Sequence, residues 1–176
     1  MKSWPLAVSP FTIADRLKTG WWLLRGHQWT AGPAVRAYEK CWEDYTGSPH
    51  AIMVSNGSVA NELIALKRKE ELVASGDWPT RNCVIFPACT WISSVSPWLH
   101  LGFRPVWADI STNLCVSIDT ICTLLWGDSN REIGTVFYTT LLGQAADLLA
   151  LRGLCASRGT RLMLDNCESA FSWNPE

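Results

Sequence analysis

Residues 83–86 read Cys-Val-Ile-Phe, an uninterrupted apolar run of the kind that forms a strand buried on both faces of a sheet. Three further runs are largely apolar: Pro105–Ala108, Ile133–Tyr138, and Arg161–Leu164, which ends at Asp165. Stretches with helical spacing separate them. Alternation of strands and helices is typical of a mostly parallel sheet covered by helices. The sequence therefore predicts an α/β fold with a mostly parallel sheet and helices on both faces.

The rest of the chain divides into expected helices, one further strand and an irregular start. We expect residues 1–32 to be irregular and Ala51–Val54 to be a short strand. In the helix after Ser58, the pattern places Val59, Leu63, Leu66 and Val73 on the core face and residues 67–71 largely on the polar face. The expected helices are residues 33–45, 59–75, 91–101 (bent or broken near Pro97), 118–126 and 147–158.

Composition limits the classes of function. The chain has 176 residues, a formal net charge of −1, 48% hydrophobic residues and 18% charged residues. The apolar content excludes a mainly disordered chain, and the lack of basic excess argues against a nucleic-acid partner. Eleven tryptophans suggest apolar surface that a partner or a further segment covers.

Cysteines and hydrophobic runs bear on the compartment. Seven cysteines without a CxxC pair predict neither a disulfide framework nor a metal site, and we expect most of them to be buried thiols. No apolar run is long enough to span a membrane, so no membrane partner is expected. Together these features predict a cytoplasmic protein.

Candidate functional residues follow the predicted strands, because ligands of parallel sheets bind at the carboxyl ends of strands. Gly57 and Ser58 open a helix, where free backbone N–H groups favour an anion, although Asn56 could simply cap that helix. Trp91 could stack on a flat ligand or belong to the core. Asp165 could pair with a protonated ring nitrogen, or could be a helix cap or a surface-turn residue. A turn could bring Glu168 near the same ligand.

An anion cradle, a stacking ring and a carboxylate, in that order, match what pyridoxal phosphate requires. The sequence also resembles the DegT/DnrJ/StrS sugar aminotransferases, which are fold type I pyridoxal-phosphate enzymes, from about Thr30 to Phe171. Six segments carry this resemblance: Thr30–Val35 with Glu39, Ser55–Asn61, Pro87–Trp91, Gly102–Ile110, Leu142–Asp147 and Leu164–Ala170.

The resemblance implies a role for each candidate residue. Gly57 and Ser58 would hold the cofactor phosphate, Trp91 would stack on the ring, and Asp165 would keep the ring nitrogen protonated. Glu168 would lie near the phenolic oxygen of the ring or near the substrate. The expected activity moves an amine from a donor to a nucleotide-linked keto-sugar, in polysaccharide biosynthesis, within a homo-oligomer.

Two departures from the family pattern leave alternatives open. The Asp-Asn-Cys-Glu segment that begins at Asp165 leans toward a branch that dehydrates a CDP-linked hexulose with pyridoxamine phosphate. The family's catalytic lysine lies beyond the matched segments, and this chain has lysines only at positions 2, 18, 40, 67 and 69, so no catalytic residue is assigned. We therefore expect residues 33–176 to be a partial cofactor-binding large domain without the C-terminal small domain. The chain would belong to a truncated or split enzyme that needs a complementing polypeptide or is inactive alone, or it would be a non-catalytic binding or assembly module that retains the fold.

Overall fold

The computed structural model describes residues 11–28, 30–112, 114–144, 147–170 and 172. The chain divides into two compact units, one up to Met53 and one from Val54 onward.

The described residues of the first unit form two helices, α1 (Ile13–Leu24) and α2 (Pro33–Thr46). The expectation that residues 1–32 are irregular is wrong for residues 13–24, because Thr12 and Asp15 form a reciprocal capping box that starts α1. Pro33 occupies the first turn of α2, and Gly47 ends it in the left-handed conformation with φ of 70°. Residues 1–10 and 29 lie outside the described part of the chain.

The predicted strand Ala51–Val54 does not form. Carboxylates of α2 bind its backbone instead. Glu43 Oε1 accepts the Ala51 N–H at 3.2 Å, and Glu39 Oε1 accepts the Met53 N–H at 2.8 Å. An apolar run becomes a strand only when a neighbouring strand pairs with its backbone, and here side chains of a helix take those N–H groups.

The second unit is a four-stranded, all-parallel sheet of β1 (Cys83–Pro87), β2 (Arg104–Ala108), β3 (Ile133–Thr139) and β4 (Arg161–Asp165), in the order β2-β1-β3-β4. Helices α3 (Gly57–Ala74) and α4 (Ile92–His100) contribute to one hydrophobic cluster, and α5 (Ile118–Gly127) and α6 (Leu148–Ser157) to the other. The predicted α/β fold, with helices on both faces of a parallel sheet, is confirmed.

The buried face of α3 differs from the predicted one. Its buried residues are Asn61, Ala65, Arg68 and Leu72, whereas Leu63, Leu66 and Val73 are exposed. Arg68 lies against the sheet because its guanidinium donates to Thr135 Oγ1 at 3.0 Å and to the Gly134 carbonyl at 2.8 Å. Tertiary hydrogen bonds therefore outweigh the amphipathic pattern of this helix.

The sequence predicted that the fourth helix is bent or broken near Pro97. The structure shows no break there. Helix α4 continues through Pro97 to His100, and the Leu101 N–H donates to the Pro97 carbonyl. Pro97 removes one backbone N–H, the one that would bond to the Ser93 carbonyl one turn earlier. That carbonyl accepts a side chain from α3, so the helix is not left with an unpaired buried group.

Burial of the cysteines is lower than expected. Cys83, Cys115 and Cys155 are buried, Cys122 is half-buried, and Cys41, Cys89 and Cys167 are exposed; none of these seven described cysteines forms a disulfide. Cys89 and Cys167 are exposed because they lie in loops that follow strands rather than in the core. Within the described residues, no helix has the length and hydropathy that crossing a bilayer requires.

Candidate functional site

The carboxyl edge of the sheet gathers the loops that follow β1, β3 and β4. Thr139 and Asp165 are register partners at the ends of β3 and β4, and the Thr140 N–H donates to the Asp165 carbonyl at 3.1 Å. Thr90, after β1, donates its hydroxyl to Thr139 Oγ1 at 3.0 Å. Because the strands are parallel, their carboxyl ends meet at one edge, where ligands of such sheets bind.

Asp165 is a buried carboxylate at this edge, with 7% of its surface exposed. Its Oδ2 accepts the Asn61 side-chain amide at 3.0 Å and the Ser94 hydroxyl at 2.8 Å. Its Oδ1 accepts the Cys167 backbone N–H at 3.2 Å. Donors from α3, α4 and the loop after β4 therefore converge on a single carboxyl group.

These donors keep Asp165 ionised. Burial alone would raise the pKa of Asp165, but hydrogen bonds from the Cys167 thiol, Asn61 and Ser94 outweigh burial and hold the pKa below its usual value. No ion pair within the described residues includes Asp165. The site thus holds a buried negative charge whose described hydrogen-bond donors are all neutral.

The start of α3 lies beside this carboxylate. Asn56 caps the helix by accepting the Val59 N–H at 3.0 Å, and the first intrahelical bond runs from Ala60 to Asn56. The N–H groups of Gly57 and Ser58 precede that bond, where a helix has no carbonyl to offer them. A Cβ on Gly57 would lie 3.5 Å from the Cys167 Sγ, so the helix start is close to the loop after β4.

Trp91 and Glu168 form the third part of the site. The Trp91 indole N–H donates to Glu168 Oε1 at 3.0 Å, and the Leu142 backbone N–H donates to Glu168 Oε2 at 2.8 Å. These two donors, Leu142 first, lower the pKa of Glu168. The Trp91 side chain is 61% exposed, which leaves an indole fixed at its nitrogen but open on its surface.

The structure brings the five residues predicted from the sequence to the same edge. Cys167 lies between Gly57 and Asp165, Ser58 follows Gly57 in the first turn of α3, and Glu168 binds Trp91. The alternative that Trp91 is a core residue does not hold, because its ring is exposed. Asp165 is neither a helix cap nor a surface residue, since it is buried at the end of a strand.

Sequence reasoning missed two residues of this site, Asn61 and Ser94. Asn61 ends one of the segments that carry the family resemblance, but no role was assigned to it. It is a polar residue one turn before Ala65 on the buried face of α3. Ser94 carries no comparable signal in the sequence, because serine is common on either face of a helix.

Comparison with known proteins places these features in a family context. Residues 12–173 match the model of the DegT/DnrJ/EryC1/StrS aminotransferase family. GDP-4-keto-6-deoxy-D-mannose 3-dehydratase of Escherichia coli O55:H7 is 31% identical over 96% of this chain and 42% of its own length. GDP-perosamine synthase of Vibrio cholerae is 29% identical over 89% of this chain and 38% of its own length.

Solved structures agree with the sequence comparison. The E. coli GDP-4-keto-6-deoxy-D-mannose-3-dehydratase with bound hydrated PLP superposes with a TM-score of 0.82 at 26% identity. The match covers 100% of this chain and 44% of that one. The chain therefore spans about two fifths of the length of these relatives.

Proposed function

Since the chain belongs to the DegT/DnrJ/EryC1/StrS aminotransferase family, we propose that it supplies the cofactor-binding part of a pyridoxal-phosphate-dependent enzyme. The substrate of that enzyme would be a nucleotide-linked keto-sugar, as the names of the relatives suggest. A complementing polypeptide or a further segment of the protein would carry the remaining parts of that enzyme, and its subunits would associate as a homo-oligomer.

The observation that carries the proposal is the buried Asp165 carboxylate without a cationic partner in the described part of the chain. A buried charge is costly unless a partner of opposite sign compensates it. A protonated pyridine nitrogen is a flat, cationic donor of the required kind, and Asp165 would in turn raise the pKa of that nitrogen.

The remaining residues fit the other parts of the same cofactor. Backbone N–H groups of Gly57 and Ser58, the Ser58 hydroxyl and the dipole of α3 would hold the phosphate. The exposed face of Trp91 would stack on the ring, and Glu168 would keep the indole oriented. When bound, the cofactor would supply an electron sink for a substrate carbanion.

The described residues offer no lysine at the carboxyl edge of the sheet to transfer protons. In the second unit, the lysines are Lys67 and Lys69, and both lie in the interior of α3 rather than at its start. Lys69 Nζ donates to the Leu101 carbonyl, after the end of α4. We propose that a lysine or histidine of a complementing polypeptide or of another segment of the protein takes this part.

The reaction itself has two candidates. Transfer of an amine is the activity for which the family is named. Removal of a sugar hydroxyl as water is the second candidate, because a relative at 31% identity and a structural relative with a TM-score of 0.82 are both 3-dehydratases. Mass spectrometry of the sugar product separates the two, since amination adds a nitrogen atom, whereas the second reaction removes the hydroxyl oxygen and adds no nitrogen.

Cofactor binding is tested by titrating the chain with pyridoxal phosphate and, separately, with pyridoxamine phosphate. We expect a shift of the ring absorbance and an induced circular dichroism band. Asp165→Asn removes the charge and should weaken binding about tenfold to a hundredfold, since a hydrogen bond to a charged group contributes roughly 1.5–3 kcal/mol.

The matched control is Asp109→Asn. Asp109 directly follows β2, but it is exposed and its Oδ1 accepts the N–H of Ile110. This control should bind the cofactor as tightly as the unsubstituted chain. Absence of any spectral change with either cofactor form would refute the proposed function.

A further inference from the structure

We infer that Asn61 and Ser94 are positioning residues that fix the Asp165 carboxylate and keep it charged for a cationic ring nitrogen. The inference rests on the proposed cofactor site and adds two residues that neither the sequence reasoning nor the family comparison assigned. Both act through Asp165.

Asn61 is placed by two hydrogen bonds of one amide group. It lies on the buried face of α3 with 4% of its surface exposed. Its Nδ2 donates to Asp165 Oδ2 at 3.0 Å and to the Ser93 carbonyl at 3.4 Å. A side-chain amide nitrogen carries two hydrogens, so both are used and the plane of the amide is determined.

The carbonyl that anchors Asn61 is available because of Pro97. In a regular helix the N–H four residues later would donate to the Ser93 carbonyl, but proline has no N–H. The amide of Asn61 takes that place, at a position where α4 continues without a break. Pro97 thus contributes to the site without lying in it.

Ser94 supplies the second donor to the same oxygen. Its side chain is fully buried, and its hydroxyl donates to Asp165 Oδ2 at 2.8 Å. Because both Asn61 and Ser94 bind Oδ2, the other oxygen is left to the Cys167 loop and to a ligand donor.

These donors are electrically neutral, so they leave the negative charge of Asp165 available to a cationic ligand. Amide and hydroxyl groups stabilise a carboxylate without cancelling its charge, whereas a lysine or arginine would compete with the ligand. The described titratable groups that interact with Asp165 are the Cys167 thiol and the Glu168 carboxylate. The bond to Asp165 raises the pKa of the Cys167 thiol to about 11, so this thiol is neutral at physiological pH.

The test measures the pKa of Asp165 directly, in the full chain and without cofactor, by carbon NMR of aspartate labelled at the carboxyl group. Asp165→Asn identifies the resonance. Ser94→Ala and Asn61→Leu should each raise the pKa of Asp165 by about one unit or more, because each removes a donor to the charged form. The same variants should weaken the binding of pyridoxal phosphate about tenfold, because Asp165 loses one of the hydrogen bonds that hold its carboxylate in place.

The matched control is Thr160→Val. The hydroxyl of Thr160 also donates a buried hydrogen bond, to the Ile133 carbonyl at 3.1 Å. That bond lies at the amino edge of the sheet, opposite the edge that holds Asp165. Thr160→Val should lower the free energy of unfolding and leave the pKa of Asp165 unchanged. A purely structural role for Asn61 and Ser94 would give that same result for their variants.

The possible results separate the two proposals. An unchanged pKa in folded Ser94→Ala, the smaller substitution, would overturn the positioning role whatever the cofactor does. A raised pKa together with weaker cofactor binding would support both proposals. The third result is a raised pKa of Asp165 in the variants while the unsubstituted chain binds neither pyridoxal phosphate nor pyridoxamine phosphate. That result would support the hydrogen-bonding role of the two residues and refute the proposed function.

Discussion

Replacing Arg68 by methionine should destabilise the second unit, because this arginine bonds to buried groups that have no access to water. Its side chain donates to the Thr135 hydroxyl at 3.0 Å, to the Gly134 carbonyl at 2.8 Å and to Glu71 at 3.1 Å. Methionine keeps most of the aliphatic stem but donates no hydrogen bond.

The magnitude follows from the groups left behind. The Thr135 hydroxyl and the Gly134 carbonyl would each be left unpaired at a cost of about 1–3 kcal/mol. Glu71 is partly exposed and also lies 3.6 Å from Arg161, so it contributes little to the loss. Burial lowers the pKa of Arg68, which reflects the cost of burying its charge, and the variant recovers part of that cost. The net loss should be about 3 kcal/mol.

Urea unfolding, followed by tryptophan fluorescence and far-ultraviolet circular dichroism, measures this loss as a lower midpoint at unchanged slope. Lys67→Met is the matched control, because Lys67 is the exposed neighbour of Arg68 in α3 and undergoes the same kind of substitution. It should change stability by no more than about 0.5 kcal/mol. Equal midpoints for the two variants would refute the assignment of Arg68 to the buried hydrogen-bond network.

Two further predictions concern the core and the site. Trp98 is fully buried, its indole N–H has no hydrogen-bond partner among the described residues, and its ring packs edge-on against Phe86, Phe103 and Phe137. Trp98→Ala should therefore cost about 3–5 kcal/mol in thermal or urea unfolding, and Trp98→Phe clearly less. Because the pKa of Asp165 is lowered in the folded state, its contribution to stability is complete above the unfolded value of about 3.9 and is lost as the pH falls through the lowered folded value. Unfolding free energies measured between neutral pH and pH 3 should therefore fall more steeply for the unsubstituted chain than for Asp165→Asn; parallel curves would contradict the lowered pKa.

Strong local signals allowed much of this structure to be predicted. The run from Cys83 to Phe86 and its three counterparts became four parallel strands, because a continuous apolar strand is stable only between two covering layers. Asp165 could be predicted as a site residue for the same reason, since it directly follows one of these strands at the edge where parallel sheets bind ligands.

Two of the predictions that proved wrong depended on a partner in space. The run Ala51–Val54 has strand composition, but two of its N–H groups, those of Ala51 and Met53, go to side chains of α2 rather than to a neighbouring strand. Arg68 has the charge of a surface residue, but the sheet offers it Thr135 and Gly134. Composition and spacing report what a residue prefers, not which groups the fold brings to it.

The sequence by itself determined the alternation of strands and helices, the position of Asp165 at a strand end and that of Trp91 in the loop after a strand, because these follow from local hydrophobic pattern. The tertiary structure alone decided which polar groups hold Asp165. Asn61 and Ser94 are 104 and 71 residues away along the chain. They reach the carboxylate only after α3 and α4 pack on the same face of the sheet, and hydrogen bonds act over about 3 Å in space whatever the separation in sequence.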